Sequence, residues 1–219
     1  MVVIDPGPDV ENHVRALASR LAGADQVSIL LTHGHHDHAG AAGVLARATG
    51  APVFGPEGVE GVTEVLVEDG TVSTDAGTLR AVHTPGHTRE HLCFLWEDRS
   101  ALFAGDLVLG KGDTTWVAEY PGCVADYLDS LEKVRALRAS VIYPAHGPAL
   151  TDPARAIDRF EHHRRSRISQ VEEALAAVPD ADLETLLGLV YGGALPSALR
   201  EPAGRSLSAL VDFVRGVHG

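Results

Sequence analysis

Lysine and cysteine are scarce in this chain of 219 residues. Only two lysines, Lys111 and Lys133, and two cysteines, Cys93 and Cys123, occur in the sequence. Two cysteines are too few for a disulfide framework, and their spacing from the histidine-rich segments does not suggest a Cys-rich metal site. We therefore expect both thiols to be reduced and any metal site to use other ligands.

Basic charge is also in short supply. The chain has 18 Lys and Arg residues against 30 Asp and Glu residues, which gives a formal net charge of −12. This balance opposes nonspecific attraction to nucleic acid or to an anionic membrane surface. The sequence shows no signal peptide and no run of the roughly 18 apolar residues that a membrane span needs. We expect a soluble cytoplasmic protein without membrane association.

Metal-capable side chains, in contrast, are concentrated between Thr32 and His38. Four of them lie within six positions: His33, His35, Asp37 and His38. An apolar run of strand type, Val27 to Leu31, precedes this segment, and Ala39 to Ala48 has the Ala and Leu content of a helix. Surface histidines on a polar turn do not cluster in this way, so the pattern predicts a metal site on a strand-to-helix loop.

The spacing within this segment indicates two metal ions. His33 and His35 are two residues apart, so in extended backbone both side chains point to the same side and can share one ion. Asp37 and His38 then turn over the start of the helix toward a second ion. Imidazole and carboxylate ligands suit Zn²⁺ well, although Mn²⁺ or Fe²⁺ could use the same ligands.

At these residues the chain resembles the metallo-β-lactamase superfamily, whose signature is His-x-His-x-Asp-His. The resemblance covers about residues 2 to 175, and later segments supply the family's other ligands in order: Gly86-His87, Gly105-Asp106 and His146-Gly147. By resemblance, His33, His35 and His87 hold the first metal, and Asp37, His38 and His146 hold the second. Asp106 bridges the two metals, and an Asp-x-Gly loop at Asp5 lies near them.

The composition, 45% hydrophobic and 22% charged, is that of a globular chain with one sizeable core and a small appendage. Strands and helices alternate, yet several strands follow each other as meanders with short links. This order predicts an α/β sandwich of two mixed sheets packed face to face with helices outside. By comparison with the family, the αββα sandwich lacks its first strands, which would leave a sheet edge exposed.

A closer resemblance extends toward the C-terminus, to a branch of β-lactamase-like hydrolases that includes a single-strand-specific endoribonuclease. It is carried by four motifs: Phe103 to Asp106, Tyr127 to Leu131, Ile142 to Pro148, and His163-Arg164. That branch ends in a small winged-helix-like module. We therefore predict a hydrolase domain over residues 1–178 and a truncated winged-helix-like helical module over residues 179–219. The predicted helices of this module are Leu183 to Val190, Pro196 to Arg200 and Ser206 to Val217.

Other polar residues invite weaker functional interpretations. His91 follows His87 in a Gly-His-Thr-x-x-His pattern and is interpreted as a packing residue or a support for a ligand. The long segment from Leu107 to Gly122 is interpreted as a substrate-facing loop in which Lys111 is solvated or reaches an anionic group. A basic stretch on the helix that starts at Pro153 is interpreted as a solvated face, with nucleic-acid contact as the alternative. Its members are Arg159, His162, His163, Arg164, Arg165 and Arg167.

Two adjacent metals lower the pKa of a bridging water, so the sequence predicts a binuclear zinc hydrolase that uses a metal-bridging hydroxide. Asp106 and Asp37 are the predicted catalytic carboxylates, since Asp106 can orient the hydroxide and Asp37 can accept a proton. The first choice of substrate is the phosphodiester of single-stranded RNA. The alternative is a small thioester, as in glyoxalase II (hydroxyacylglutathione hydrolase). A true β-lactamase is disfavoured because Asp106 is retained and an export signal is absent, and a metal-stabilised binding protein because every ligand is intact.

Overall fold

Two β-sheets with helices against their outer faces form the fold in the computed structural model, which describes residues 1–192 and 195–216. The first sheet is parallel throughout, with its strands in chain order. These strands are β1 (Val2–Ile4), β2 (Ser28–Leu30), β3 (Val53–Gly55) and β4 (Glu64–Val65).

The second sheet is an antiparallel meander of four strands to which a fifth strand adds in parallel. The strands are β5 (Thr71–Thr74), β6 (Gly77–His83), β7 (Leu92–Trp96), β8 (Ala101–Gly105) and β9 (Val141–Pro144). A short 3₁₀ turn, Glu97–Arg99, joins β7 to β8. The two sheets pack through apolar side chains such as Leu30 from β2 and Phe94 from β7.

Three helices belong to the first sheet: α1 (Glu11–Leu21), the short α2 (His36–Ala39) and α3 (Ala42–Thr49). Leu21 and Leu45 are buried against Ile29, so α1 and α3 cover the outer face of this sheet. The other helices are α4 (Cys123–Ala136), α5 (Pro153–Ala177), α6 (Leu183–Tyr191) and α7 (Ser197–Val214).

Local sequence explains the start of α5. Pro153 occupies the first helical turn, where its missing N–H leaves no backbone acceptor unsatisfied, and the Asp152 carboxylate accepts a hydrogen bond from the Arg155 N–H at 3.1 Å. The inward face of α5 repeats about every four residues, with Phe160, Ile168 and Val171 buried. This face packs on α4 and on the second sheet.

Two details of the predicted architecture are wrong. The first sheet is parallel rather than mixed, because each connection from β1 through β4 brings the chain back to the same end of the sheet before the next strand begins. The meander of strands therefore begins only at β5. Pro196–Arg200 and the segment from Ser206 form one helix, α7, which accommodates Pro202 within its second turn. The predicted end of that helix at Val217 lies outside the described residues.

The C-terminal region is helical in the described residues, which contain no strand after Pro144. Leu187 from α6 and Leu207 and Leu210 from α7 are buried in the same core as Phe160 from α5. The winged-helix-like character of residues 179–219 and the boundary at 178 stay predictions. Across the described residues, no helix combines the length and apolarity needed to cross a membrane.

Candidate metal centre

Every predicted ligand lies just beyond the end of a strand or at the helix start that follows it. The loop after β2 carries His33 and His35 into α2, and the loop after β6 carries His87. Asp106 follows β8 directly, and His146 follows β9. Because these strand ends lie at one edge of the sandwich, residues up to 113 positions apart in the chain, His33 to His146, meet in one place.

The first predicted ligand group comes together. His33, His35 and His87 each present one ring nitrogen, and the three nitrogens lie within 4.8 Å of one another. Nε2 of His87 lies 3.0 Å from Nδ1 of His35. The spacing suits a single ion held between the three rings.

The second predicted group also comes together. Ligand atoms of Asp37, His38 and His146 lie within 4.8 Å of one another. Nε2 of His146 lies 3.3 Å from Oδ2 of Asp37, and Nε2 of His38 lies 3.7 Å from the same oxygen. His38 is buried, whereas the Asp37 side chain is 57% exposed, so this group opens toward solvent.

Asp106 lies between the two groups. Its Oδ2 is 3.7 Å from Nε2 of His87 in the first group and 3.6 Å from Nε2 of His38 in the second. Its Oδ1 is 3.5 Å from Nε2 of His146. The carboxylate can therefore reach both groups at once, which is the position that the predicted bridging role requires.

Three buried atoms of this cluster fit a bound cation. Nε2 of His33, Nε2 of His38 and Oδ1 of Asp106 are shielded from solvent and have no hydrogen-bond partner among residues 1–192 and 195–216. Buried polar atoms are nearly always paired, so three unpaired polar atoms in one cluster indicate a ligand. Nitrogen and carboxylate donors in two such groups suit divalent zinc, manganese or iron.

Hydrogen bonds from behind fix the orientation of these rings. Nδ1 of His38 donates to Oδ2 of Asp5 at 2.9 Å, and Nδ1 of His33 lies 2.9 Å from Oγ1 of Thr32. The hydroxyl of Thr32 donates to the same Asp5 oxygen at 2.7 Å, so its proton is not available to His33. His33 therefore carries its proton on Nδ1 and presents the Nε2 lone pair to the site, and His38 keeps its Nδ1 proton and would present Nε2 once the Nε2 proton is lost. The sequence placed Asp5 near the metals but gave it no partner.

The pKa shifts of these groups follow from burial and from the carboxylates. Burial lowers the pKa of both His33 and His87, and the neighbouring imidazoles add to the effect at His33. Burial also opposes protonation of His38, but the nearby carboxylate of Asp106, 3.6 Å from Nε2, and the hydrogen bond to Asp5 outweigh burial and raise the pKa of His38 to about 10. Burial likewise opposes ionisation of Asp106, yet the contact with His38 holds the pKa of this carboxyl below its usual value.

His91 supports the Asp106 backbone. Its Nε2 accepts the backbone N–H of Asp106 at 3.2 Å, while Nδ1 lies 2.9 Å from Oγ1 of Thr84. Burial lowers the pKa of His91 to about 3, so the ring is neutral and can accept this bond. Gly105 allows the close approach: its φ is +48°, and a Cβ there would lie 2.6 Å from Nε2 of His91.

The segment from Leu107 to Trp116 contacts both ligand groups through its backbone. The carbonyl of Trp116 accepts a hydrogen bond from Nδ1 of His87 at 2.9 Å. The N–H of Gly110 donates to the carbonyl of His146 at 2.8 Å. A backbone carbonyl has no sequence signature, so the pattern analysis did not find these two contacts. Lys111, for which an anionic partner was considered, is exposed.

The basic stretch of α5 is not one continuous solvated face. Arg164 is only 3% exposed and donates to the carbonyl of Thr115 at 3.1 Å, so the interpretation of this residue as a surface cation is wrong. It lies on the buried stripe of α5, four residues from both Phe160 and Ile168. Arg165 is exposed and donates to Glu161 at 2.7 Å, and Arg167 donates to Gln170 at 2.9 Å.

A groove of about 740 Å³ is lined by residues of both sheets and by the second ligand group, Asp37, His38 and His146. Thr74, Asp75 and Ala76 also line it. Most of its wall is apolar: Val2, Ile4, Leu79, Trp96, Phe103 and Tyr143.

This chain is similar in sequence to known proteins. A family model described as the Metallo-beta-lactamase superfamily matches residues 2–70 and 58–146. The Beta-lactamase-like protein 2 homolog of Caenorhabditis elegans is 33% identical over 187 residues, which are 80% of this chain and 61% of that protein. The Atrochrysone carboxyl ACP thioesterase of Aspergillus fumigatus is 32% identical over 180 residues, which are 80% of this chain and 41% of that protein.

Among solved structures, a Beta-lactamase domain protein from Burkholderia ambifaria has the same fold. It superposes with a TM-score of 0.84 over 98% of this chain and 77% of that chain, at 20% sequence identity. The matched part of this chain thus corresponds to between about two fifths and three fifths of the two curated relatives. The shared part contains the strand ends that carry all seven predicted ligands.

Proposed function

Because this chain belongs to the metallo-beta-lactamase superfamily, we propose that it is a binuclear metal-dependent hydrolase whose substrate is a thioester with an apolar acyl group. The observation that carries the hydrolase proposal is the pair of ligand groups joined by Asp106. His33, His35 and His87 would hold one ion, Asp37, His38 and His146 the other, and Asp106 would contact both. Zinc is the proposed metal, since neutral imidazoles dominate the ligand set.

Two bound ions would supply Lewis-acid activation of water and of the scissile carbonyl at neutral pH. The chain's own residues set the geometry for that chemistry. The backbone N–H of Asp106 donates to His91, which helps to hold the backbone of this residue in place between the ligand groups. Asp37 is the exposed carboxylate at the mouth of the site, where it can accept a proton as water attacks and pass it to the leaving thiolate.

The groove supports the choice of an acyl substrate. Its lining includes Asp37, His38 and His146, and most of the remaining lining residues are apolar. An acyl chain seated there would have its carbonyl beside the ligand groups, and burial of the chain would contribute roughly 0.8 kcal/mol per methylene. A relative of this chain is named as an acyl-carrier-protein thioesterase, which supports the same class of bond.

Single-stranded RNA is the second candidate, and the structure offers it less support. The cations assigned to RNA contact are Arg159, Arg164, Arg165 and Arg167. Arg164 is buried, and Arg165 and Arg167 have partners within α5. The net charge of −12 adds a general repulsion of phosphate. Arg159 is the member of the set that is exposed without a carboxylate partner among the described residues.

The test is hydrolysis of a substrate panel by metal-loaded and chelator-treated protein. We expect turnover of acyl thioesters, abolished by chelator and restored by zinc, with KM falling as the acyl chain lengthens from two to about ten carbons. Cleavage of single-stranded RNA with no thioester turnover would reverse the choice of substrate. Absence of both activities in protein that holds metal would remove the hydrolase proposal.

A groove variant sharpens the choice. Tyr143 is 43% exposed and stacks on Phe103 in the groove wall, with ring centroids 5.3 Å apart. Tyr143→Ala should raise KM for long acyl thioesters about tenfold and leave short ones nearly unchanged, because only long chains reach this wall. Val67→Ala is the matched control, since Val67 is 66% exposed and does not line the groove.

A further inference from the structure

We propose that Arg164 is a positioning residue for the metal ligand His87, acting through the backbone of Thr115 and Trp116. The inference rests on the proposed role of His87 as a metal ligand. Arg164 belongs to α5 and touches neither ligand group, so its effect on the site must pass through the intervening loop segment.

The path consists of two hydrogen bonds on adjacent residues. Nη2 of Arg164 donates to the carbonyl of Thr115 at 3.1 Å. The next carbonyl, that of Trp116, accepts the Nδ1 proton of His87 at 2.9 Å. Fixing one peptide carbonyl restricts the direction of the next, because the chain has only two soft torsions per residue. Arg164 thereby sets the acceptor that fixes the tautomer and ring plane of His87.

The other end of the same segment is held by α4. The hydroxyl of Tyr127 donates to the carbonyl of Leu107 at 3.0 Å, and the Arg164 guanidinium lies over the Tyr127 ring at 5.3 Å. The two side chains therefore pack together, and each holds one end of the segment from Leu107 to Thr115. Between these anchors, Gly110 reaches the carbonyl of His146. A Cβ on Gly110 would lie 2.3 Å from the Pro148 carbonyl oxygen, so the segment is pressed against the chain that carries the second group.

The burial of Arg164 is costly, which argues for a specific role. The side chain replaces an apolar residue on the buried stripe of α5 between Phe160 and Ile168, and it is 3% exposed. It has no carboxylate partner among the described residues, and its Nε has no hydrogen-bond partner there. A guanidinium in such surroundings destabilises the fold relative to a well-packed apolar side chain. The gain is the hydrogen bond that holds Thr115.

The experiment compares Arg164→Met with Arg165→Met. Methionine keeps an unbranched apolar stem like that of arginine but is shorter and donates no hydrogen bond. Arg165 is the next residue on the same helix, is exposed and pairs with Glu161, so its variant controls for loss of charge. The first readout is the Co²⁺ affinity of the metal-free protein, measured by chelator competition, together with the Co²⁺ absorption spectrum.

We expect Arg164→Met to lower the affinity for one of the two Co²⁺ ions by about 10- to 100-fold. This is the range found when a residue that hydrogen-bonds a ligating histidine is lost. The Co²⁺ spectrum should change because the His87 ring is free to rotate. Arg165→Met should match the wild type within about twofold. Arg164→Lys, which keeps the charge and can donate one hydrogen bond, should fall between these limits at about three- to tenfold.

Three results would overturn the inference. One is wild-type metal affinity and an unchanged spectrum in Arg164→Met. Another is an equal loss in both methionine variants, which would indicate an effect of charge alone. The third is unchanged metal binding with a raised KM in Arg164→Met, which would make Arg164 a substrate contact.

A folding control keeps the test decisive. If Arg164→Met does not fold, as judged by its circular dichroism spectrum and melting curve, Arg164→Lys is compared with Arg165→Lys. A lower metal affinity in Arg164→Lys alone supports the inference, and equal metal affinities in the two lysine variants contradict it. A wild-type protein that takes up no metal would remove the proposed function itself. Normal wild-type uptake with no effect at Arg164 would remove only this inference.

Discussion

The carboxylate of Asp5 accepts the Nδ1 proton of His38 at 2.9 Å across a separation of 33 residues. The other Asp5 oxygen accepts the backbone N–H of Thr32 at 2.8 Å. Asp5 itself has a φ of +47°, a conformation that non-glycine residues rarely adopt. A strained residue that joins the end of β1 to the loop after β2 is typical of a functional position.

Replacement of Asp5 by alanine should lower the metal affinity of the proposed second ligand group, Asp37, His38 and His146, by about 10- to 100-fold. The reason is that the His38 ring loses the acceptor that fixes it. Equilibrium dialysis with zinc followed by elemental analysis measures this loss. Asp9→Ala is the control, since Asp9 is an exposed carboxylate on the same connection. Full occupancy of both ions in Asp5→Ala would show that the hydrogen bond to His38 is dispensable.

Metal binding should release protons. The pKa of His38 is raised to about 10, so in the metal-free protein at pH 7.5 this ring is protonated and must lose its proton to bind an ion. His33 and His87 have lowered pKa values and release none. We expect roughly one proton to be released for each ion bound at Asp37, His38 and His146. The affinity for that ion should rise about tenfold per pH unit until the pH approaches the pKa of His38.

Titration calorimetry in buffers of different ionisation enthalpy counts the released protons. Asp5→Asn is an informative variant, because loss of this carboxylate lowers the pKa of His38 and should reduce the proton release at pH 7.5. A zinc affinity that does not change between pH 6.5 and 8.5 would contradict the assignment of a proton to His38.

The seven predicted ligands could be named from the sequence because their signals are local. Alternate histidines after an apolar strand define the loop at His33, and each later ligand follows another predicted strand beside a glycine. The structure brings these side chains to one edge, and their roles as ligands stay predictions. The helix α1, from Glu11 to Leu21, is likewise a local signal, because Val14, Leu17 and Leu21 follow helical spacing.

The contacts that support the ligands could not be predicted from the sequence. They involve backbone atoms far away in the chain, or a charged residue at a position where the helical pattern expects an apolar one. The Trp116 carbonyl is 29 residues from His87, and no residue type marks it. Arg164 does fall at the spacing of the buried stripe, four residues from Phe160 and from Ile168, but the charged neighbours around it concealed that signal. The sequence did not show that the first sheet ends at β4 and the second begins at β5, because β4 has only two residues and no apolar alternation.

Gly105→Ala should destabilise the protein, because the residue has a φ of +48° and a Cβ would lie 2.6 Å from His91 and 2.7 Å from Thr32. The left-handed conformation alone costs about 1–2 kcal/mol for alanine. Gly23→Ala is the control, since Gly23 has a φ of +86° and open space around it. Urea unfolding of both variants isolates the steric part, and we expect Gly105→Ala to lose at least about 1 kcal/mol more than Gly23→Ala. Equal losses would show that the backbone yields around His91.

Asp106→Ala should reduce turnover far more than it reduces metal content. Each ion would keep three other ligands, so we expect at least one ion to remain bound, whereas the carboxylate that reaches both groups is lost. A fall in kcat of about 1,000-fold or more, with KM changed little, is the expected result for a group that acts in the transition state. Elemental analysis and thioester kinetics on one preparation measure both quantities. Asp113→Ala, at an exposed carboxylate of the next loop, is the control. If turnover falls only in proportion to the metal lost, Asp106 acts as a metal ligand and has no further catalytic role. Turnover at the wild-type level would show that Asp106 is not part of the active site.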